Sequence, residues 1–124
     1  MKFTLIIAFF TSLLLFVKIE VTDEIVAAVR QGKAAEVAKF FDQKVSIKLL
    51  EQEDVLSTAQ AEANLKYFFE KHPVKGFTGS HVSTTNNNAQ YITGTLETTV
   101  GKFRLSILIR RNLITQFRIE TEND

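Results

Sequence analysis

Two histidines, two tyrosines and a scatter of carboxylates carry whatever acid–base chemistry this chain can offer, because it contains no cysteine. His81 lies in an alternating stretch with Phe77, Gly79 and Ser83, where an inward-facing imidazole could act as a general base. Glu97 and Glu62 are the carboxylates that could orient it. The Tyr91 phenol could polarise a carbonyl as an oxyanion donor. His81, Tyr91 and Glu97 are therefore the catalytic candidates. Each also has a structural reading: a surface or core histidine, an amphipathic phenol at a core edge like Tyr67, and a solvated carboxylate. His72 precedes Pro73 at the end of a helical stretch. It suits either a pocket rim or the negative end of the helix dipole. The two histidines are nine positions apart on different elements, with no acid at ligand spacing, so no metal site is expected. Ser57 lacks a nucleophile-elbow context, and Gly76 and Gly79 are too isolated to cradle phosphate. No cofactor motif is present.

Charge distribution offers a second kind of site. Between Lys71 and Glu120 the only acid is Glu97, whereas Lys75, Lys102, Arg104, Arg110, Arg111 and Arg118 fall in that stretch. Strand alternation places Arg104, Arg110 and Arg118 on one polar sheet face with Tyr91, making these the candidate binding residues. Such a face suits an anionic protein partner or a second copy of the chain. In a homodimer the facing arginines would need Glu97, Glu120 or an anion between them. The alternative is a solvated face that resists aggregation. The net charge of +1 and the lack of aromatic interleaving give no support to nucleic-acid binding.

The elements that must position these groups can be read from periodicity. Val21 to Gln31 reads as a helix capped by Thr22 or Asp23 and closed by Gly32. Lys33 to Phe41 restarts a helix with Ala34, Val37, Ala38 and Phe41 on one stripe. The pair resembles a helix-turn-helix hairpin, but with only Lys33 and Lys39 flanking Glu36 it is not a DNA reader. Val45 to Leu49 alternates as a half-buried strand, and Glu51 to Asp54 reads as an acidic turn. Ser57 and Gln60 form a capping box for a helix to about Lys71, with Ala61, Leu65, Phe68 and Phe69 buried. Four strands then follow: Phe77 to Thr85, Gln90 to Thr98, Lys102 to Arg110 and Leu113 to Glu120. Their separators are rich in Asn and Gly, which predicts an antiparallel meander. Phe103, Leu105, Ile107 and Ile109 face one way, Ile92 and Leu96 join them, and Leu108 interrupts the polar side.

The remaining N-terminal stretch is an address rather than part of the fold. Met1-Lys2 precedes an apolar run from Phe3 to Val17. As a helix the run spans about 22 Å, short of the roughly 30 Å hydrocarbon core. Residues 1–20 therefore read as a signal peptide, or as a hydrophobic anchor if uncleaved, since no small-x-small pair follows the run. The domain is expected over residues 21–121, with residues 122–124 a polar tail. Export to the periplasm or cell envelope follows, with membrane contact only through an uncleaved N-terminal segment.

The order helix, helix, strand, long helix, four strands resembles the nuclear transport factor two-like superfamily of cone-shaped α+β proteins. More narrowly it is similar to a family of short exported bacterial proteins of unknown function. The similarity runs from Asp23 to Glu120. It is carried by Glu24 to Arg30 with Gly32, Ala38 to Asp42, Ala59 to Glu62, Phe68-Phe69 with Pro73, Tyr91 to Leu96, and Arg118-Ile119-Glu120. The Arg111-Asn112 hairpin is tighter than that pattern. The resemblance implies an α+β, cystatin-like cone: a curved, mostly antiparallel sheet wrapped around three helices, sometimes with a conical pocket. The function expected is a non-catalytic binding module, taking a small molecule in the pocket or an envelope protein on the sheet face. The alternative is a small hydro-lyase or isomerase-like enzyme using pocket His, Tyr or carboxylate.

Overall fold

The computed structural model describes residues 19–122. The apolar run read as an export signal lies outside the described residues. Among the described residues no helix is long and apolar enough to cross a membrane.

Apolar spacing in the first segment yields helix α1, Val21–Gln31, which buries Ile25, Val26, Ala28 and Val29. Gly32 ends it at φ 65°, and its N–H donates to the Val29 carbonyl. A side chain here would be strained by that φ and would also meet Val74 Cβ at 2.9 Å. The expected Thr22 or Asp23 cap is not formed. Glu20 holds the N-cap position without a side-chain bond, and Thr22 is buried within the first turn.

The second helix is shorter than its apolar stripe implied. α2 covers only Ala34–Ala38, and Phe41 opens a strand instead of continuing the helix. That strand, β1 (Phe41–Leu49), is followed by β2 (Gln52–Ser57). The acidic segment expected as a turn is therefore mostly strand; the reversal itself is at Leu50 and Glu51, with Leu50 at φ 62°. The capping box forms as read. Ser57 Oγ accepts from the Gln60 N–H, Gln60 Oε1 accepts from the Ser57 N–H, and α3 runs Thr58–Lys71.

Strands β3 (Val74–Thr84), β4 (Gln90–Thr98), β5 (Gly101–Arg110) and β6 (Leu113–Thr121) form the antiparallel meander. Its turns use the residues that tolerate positive φ: Asn88 at 63°, then Arg111 at 54° with Asn112 at 66°. At the second turn the Thr98 hydroxyl accepts from the N–H groups of Val100 and Gly101. β1 pairs parallel with β6, which completes a six-stranded sheet in the order β2-β1-β6-β5-β4-β3. The architecture is α+β, a curved sheet with three helices on one side.

The apolar face of the sheet is filled by side chains. A single row crosses it from Ile47 through Phe117, Ile107 and Ile92 to Val82. Phe77, Phe117, Leu65, Leu96 and Leu105 are each less than 2% exposed. Phe41 meets Phe117 edge-on at 6.1 Å, and Phe68 meets Phe103 at 5.9 Å. Helix α1 lies against β3, and α3 lies against β1 and β2.

Candidate functional site

Side-chain alternation sends Tyr91, Thr93, Thr95 and Glu97 of β4 to the face away from the helices. Register then builds rows across that face. One runs His81, Thr93, Ser106, Arg118, Lys48, Glu53, and its neighbour runs Ser83, Tyr91, Leu108, Gln116, Ser46, Val55. A third contains Thr78, Thr95, Arg104 and Glu120, and a fourth Gly76, Glu97 and Lys102.

These rows place every catalytic candidate. His81 does not face inward: it is exposed, on the strand at the sheet edge, beside Thr93. The cause is a register shift between Thr78 and His81, where Gly79 takes φ 63° and interrupts simple alternation from Phe77. Tyr91 and Glu97 share its face, but six residues of strand put them about 20 Å apart. Glu97 accepts a hydrogen bond from Thr78 Oγ1 at 3.0 Å. Glu62 lies on α3, on the opposite side of the sheet from His81, in a surface groove with Lys66 and Glu70. No reacting atom could touch His81, Tyr91 and Glu97 together. Among the described residues no cluster of three or more His, Asp or Glu is arranged to hold a metal.

The arginines separate into two places. Arg104 and Arg118 meet through Glu120, whose carboxylate accepts from Lys48 Nζ at 2.8 Å and from Arg118 Nη2 at 3.4 Å. Arg104 Nη2 lies 3.5 Å from the other carboxylate oxygen. Arg118 Nη1 also reaches Glu53 at 2.8 Å. Arg110 is not part of this network; it sits at the far end of β5 next to Arg111, near Asp42 and Thr115. The acids that face the arginines therefore come from the chain itself, from Glu120 and Glu53. Lys48's hydrogen bond, reinforced by Arg118, holds the Glu120 carboxyl below the usual carboxylate range against the opposing effect of burial. The bond to Glu53 pushes the Arg118 guanidinium up.

A depressed carboxylate contributes stability that is present above its unfolded value and lost as pH falls through its folded value. Glu120→Gln should thus destabilise the protein at neutral pH by about 1–2 kcal/mol, by leaving Lys48, Arg104 and Arg118 around a neutral amide. The loss falls below the roughly 3–5 kcal/mol of a fully buried pair because solvent screens the site, Arg104 being 40% exposed. The difference from the parent should vanish as pH drops well below 4.5, the ordinary glutamate value. Denaturant titrations across pH check this, and a pH-independent difference would refute it.

A different place gathers polar groups around apolar surface. At the C-terminal end of α3, His72 stacks on Phe68 at 4.0 Å between ring centres and meets Phe103 edge-on at 5.5 Å. Its Nδ1 is 3.0 Å from the Phe68 carbonyl oxygen. A carbonyl only accepts, so Nδ1 carries a proton and donates this bond. Beside it opens a groove of about 330 Å³. Leu49 and Phe68 give it apolar surface, while Gln52, Asn64, Tyr67, Lys71 and His72 ring it with polar groups. The Lys71 ammonium lies 5.3 Å from the Tyr67 ring centre, a cation–π arrangement that keeps positive charge at the rim.

Reading the sequence missed Lys48 as a partner of Glu120 and Glu53 as a partner of Arg118, and Gln52, Asn64 and Leu49 as groove residues. Lys48 stood on the polar side of a recognised alternation, so its face was legible. Its neighbours were not, because they depend on a parallel pairing with a strand at the other end of the chain.

The chain is similar to known proteins over nearly all of its described length. The family model of a domain of unknown function, DUF4783, matches residues 22–121. None of the curated proteins matches. A solved DUF4783 family protein from Bacteroides fragilis YCH46 is 29% identical, with 79% of this chain and 95% of that one covered at a TM-score of 0.72. Another, from Bacteroides uniformis ATCC 8492, is 25% identical, with 85% and 100% covered at 0.77. A candidate polyketide cyclase from Sinorhizobium meliloti shares only 6% identity, with 80% and 92% covered at 0.63, a likeness of fold alone.

Proposed function

Because the chain belongs to the DUF4783 family, a domain of unknown function, we propose from its own geometry that it is an exported binding module without a catalytic centre, taking a small amphipathic ligand in the groove at the end of α3. The observation that carries this reading is the convergence of five polar side chains on the Leu49–Phe68 surface. Ligand sites combine apolar lining with a few placed polar groups and begin near about 300 Å³. The candidates on the sheet face are spread along strands, and the cations Arg104 and Arg118 are already matched by Glu120 and Glu53. The groove's chemistry favours an aromatic or aliphatic body that lies on Phe68 and an anionic head near Lys71.

Titrating ¹⁵N-labelled protein with indole-3-acetate, and separately with neutral indole-3-methanol, tests this. Saturable shifts should cluster at Gln52, Asn64, Tyr67, Lys71 and His72, stronger with the carboxylate. Lys71→Glu should weaken the carboxylate at least about tenfold, the equivalent of one charge-assisted contact. Shifts confined to the Arg104–Arg118 face, or none that saturate, would overturn the groove reading.

One observation supports a second reading, a small hydro-lyase or isomerase. His72 lines the groove, where its imidazole could take a proton from a ligand carbon. In that case His72→Gln would abolish turnover while leaving ligand binding measurable.

A further inference from the structure

The two edges of the sheet are not alike. β2, at one edge, carries Glu53 and Asp54, charges that oppose pairing with a second copy. β3, at the other edge, contains no Lys, Arg, Asp or Glu from Gly76 to its end at Thr84. From Thr78 to Thr84 its residues are exposed, and alternate backbone N–H and C=O groups point away from β4 with no further strand beside them among the described residues. The interior row that runs Ile47, Phe117, Ile107, Ile92 is 2% exposed or less at every position, but it ends on this edge at Val82, which is 41% exposed.

We propose that β3 pairs antiparallel with β3 of a second copy of the chain, with a two-fold axis through Val82. A two-fold perpendicular to the sheet keeps both polar faces on one side and both helical layers on the other. Opposite residues must then sum to twice the central number. Val82 meets Val82, His81 meets Ser83, and Ser80 meets Thr84. No like charges face each other in this register, and the cross-strand pairs are small or β-branched. Centring on His81 would instead oppose two imidazoles, and centring on Ser83 would leave Val82 against Thr84. The Val82 register alone continues the apolar row into the partner without a break. An edge ladder of this length buries little area, so the association belongs to the weak, concentration-dependent class.

The absence of cysteine from the chain makes the register directly testable. Directly opposite residues of an antiparallel pair have Cα atoms about 4.5 or 5.5 Å apart, both within disulfide range. In the full-length chain, Val82→Cys should form a disulfide-linked dimer under mild oxidation at least about tenfold faster than Val55→Cys, although Val55, on the β2 edge, is the more exposed position at 65%. Ser83→Cys alone should link slowly, but mixing it with a size-tagged His81→Cys chain should yield the mixed dimer. Sedimentation should show concentration-dependent association of the parent that Val82→Lys removes, while circular dichroism of Val82→Lys stays that of the parent. Equal rates at positions 82 and 55, preferential self-linking at 83, or a parent that is monomeric at every concentration would overturn the proposal. So would β3 amides protected from hydrogen exchange independently of concentration, which would mean that another segment of the same chain covers the edge.

Discussion

Phe68→Ala should lower stability by about 3–5 kcal/mol, the range for removing a large aromatic ring from a packed interior. Phe68 is 5% exposed, and its ring touches three others: Phe69 at 6.3 Å, Phe103 at 5.9 Å and His72 at 4.0 Å. It is also the residue through which α3 meets the start of β5. Truncation would leave a void between helix and sheet and release the imidazole stacked above it. Chemical denaturation of both proteins measures the loss, and a difference below about 0.5 kcal/mol would mean that the helix can collapse onto the sheet without this ring. Phe68→Leu separates the two contributions. It keeps most of the buried volume and removes only the stacking, so it should lose less than half as much as the alanine variant.

The second large effect is expected at a residue with no side chain. Gly94 sits in the middle of β4 on the apolar face, where the ring of Phe77 comes down onto it. A Cβ there would lie 2.7 Å from Phe77 Cε1, 2.9 Å from its Cζ and 3.0 Å from the Thr78 carbonyl oxygen. The ring is 1% exposed and has nowhere to retreat. Gly94→Ala should therefore destabilise by about 1–3 kcal/mol through overpacking, although alanine ordinarily suits a strand better than glycine. Coupling gives the decisive readout. With Phe77→Leu already in place the alanine should be tolerated better than in the parent, so the double variant should be more stable than the sum of the two losses. Strict additivity would mean that the ring is not what excludes the methyl group.

Most of the fold was legible because its signals are local. Ser57 and Gln60 mark a helix start by their own bonds, and Asn88, Arg111 and Asn112 fall where the backbone must turn left-handed. β4 reads to the residue, since one face is buried and the other wet. β2 escaped for the converse reason. Five of its six residues are exposed, so neither face leaves a hydrophobic period in the sequence. Phe41 fits a helix by sequence because it continues the stripe of Ala34, Val37 and Ala38 at helical spacing, whereas tertiary pairing with Ile114 draws it into a strand. The candidate site was less legible than the fold. That Arg104 and Arg118 share a face can be read from the sequence, because alternation along neighbouring hairpin strands is a short-range property. Their acids, and the groove residues on β1, β2 and α3, come together only through three-dimensional closure. A single glycine with positive φ was enough to turn His81 outward.

The parallel pairing of β1 with β6 also constrains the order in which the molecule can be built. The Lys48–Glu120 bond closes a loop of 72 residues, and Val45 and Ile47 of β1 stay uncovered on one edge until β6 exists. Contacts of such sequence separation are formed late and slowly, because chain entropy must be lost before they return any stability. A ribosome releasing this chain from its N-terminus would hold α1 to α3 and the β1–β2 hairpin as an unclosed assembly. The meander from β3 to β6, made wholly of neighbouring hairpins, is the piece that can assemble first, and it then supplies the template onto which the earlier half docks. The N-terminal half is thus the part of the molecule made first and finished last.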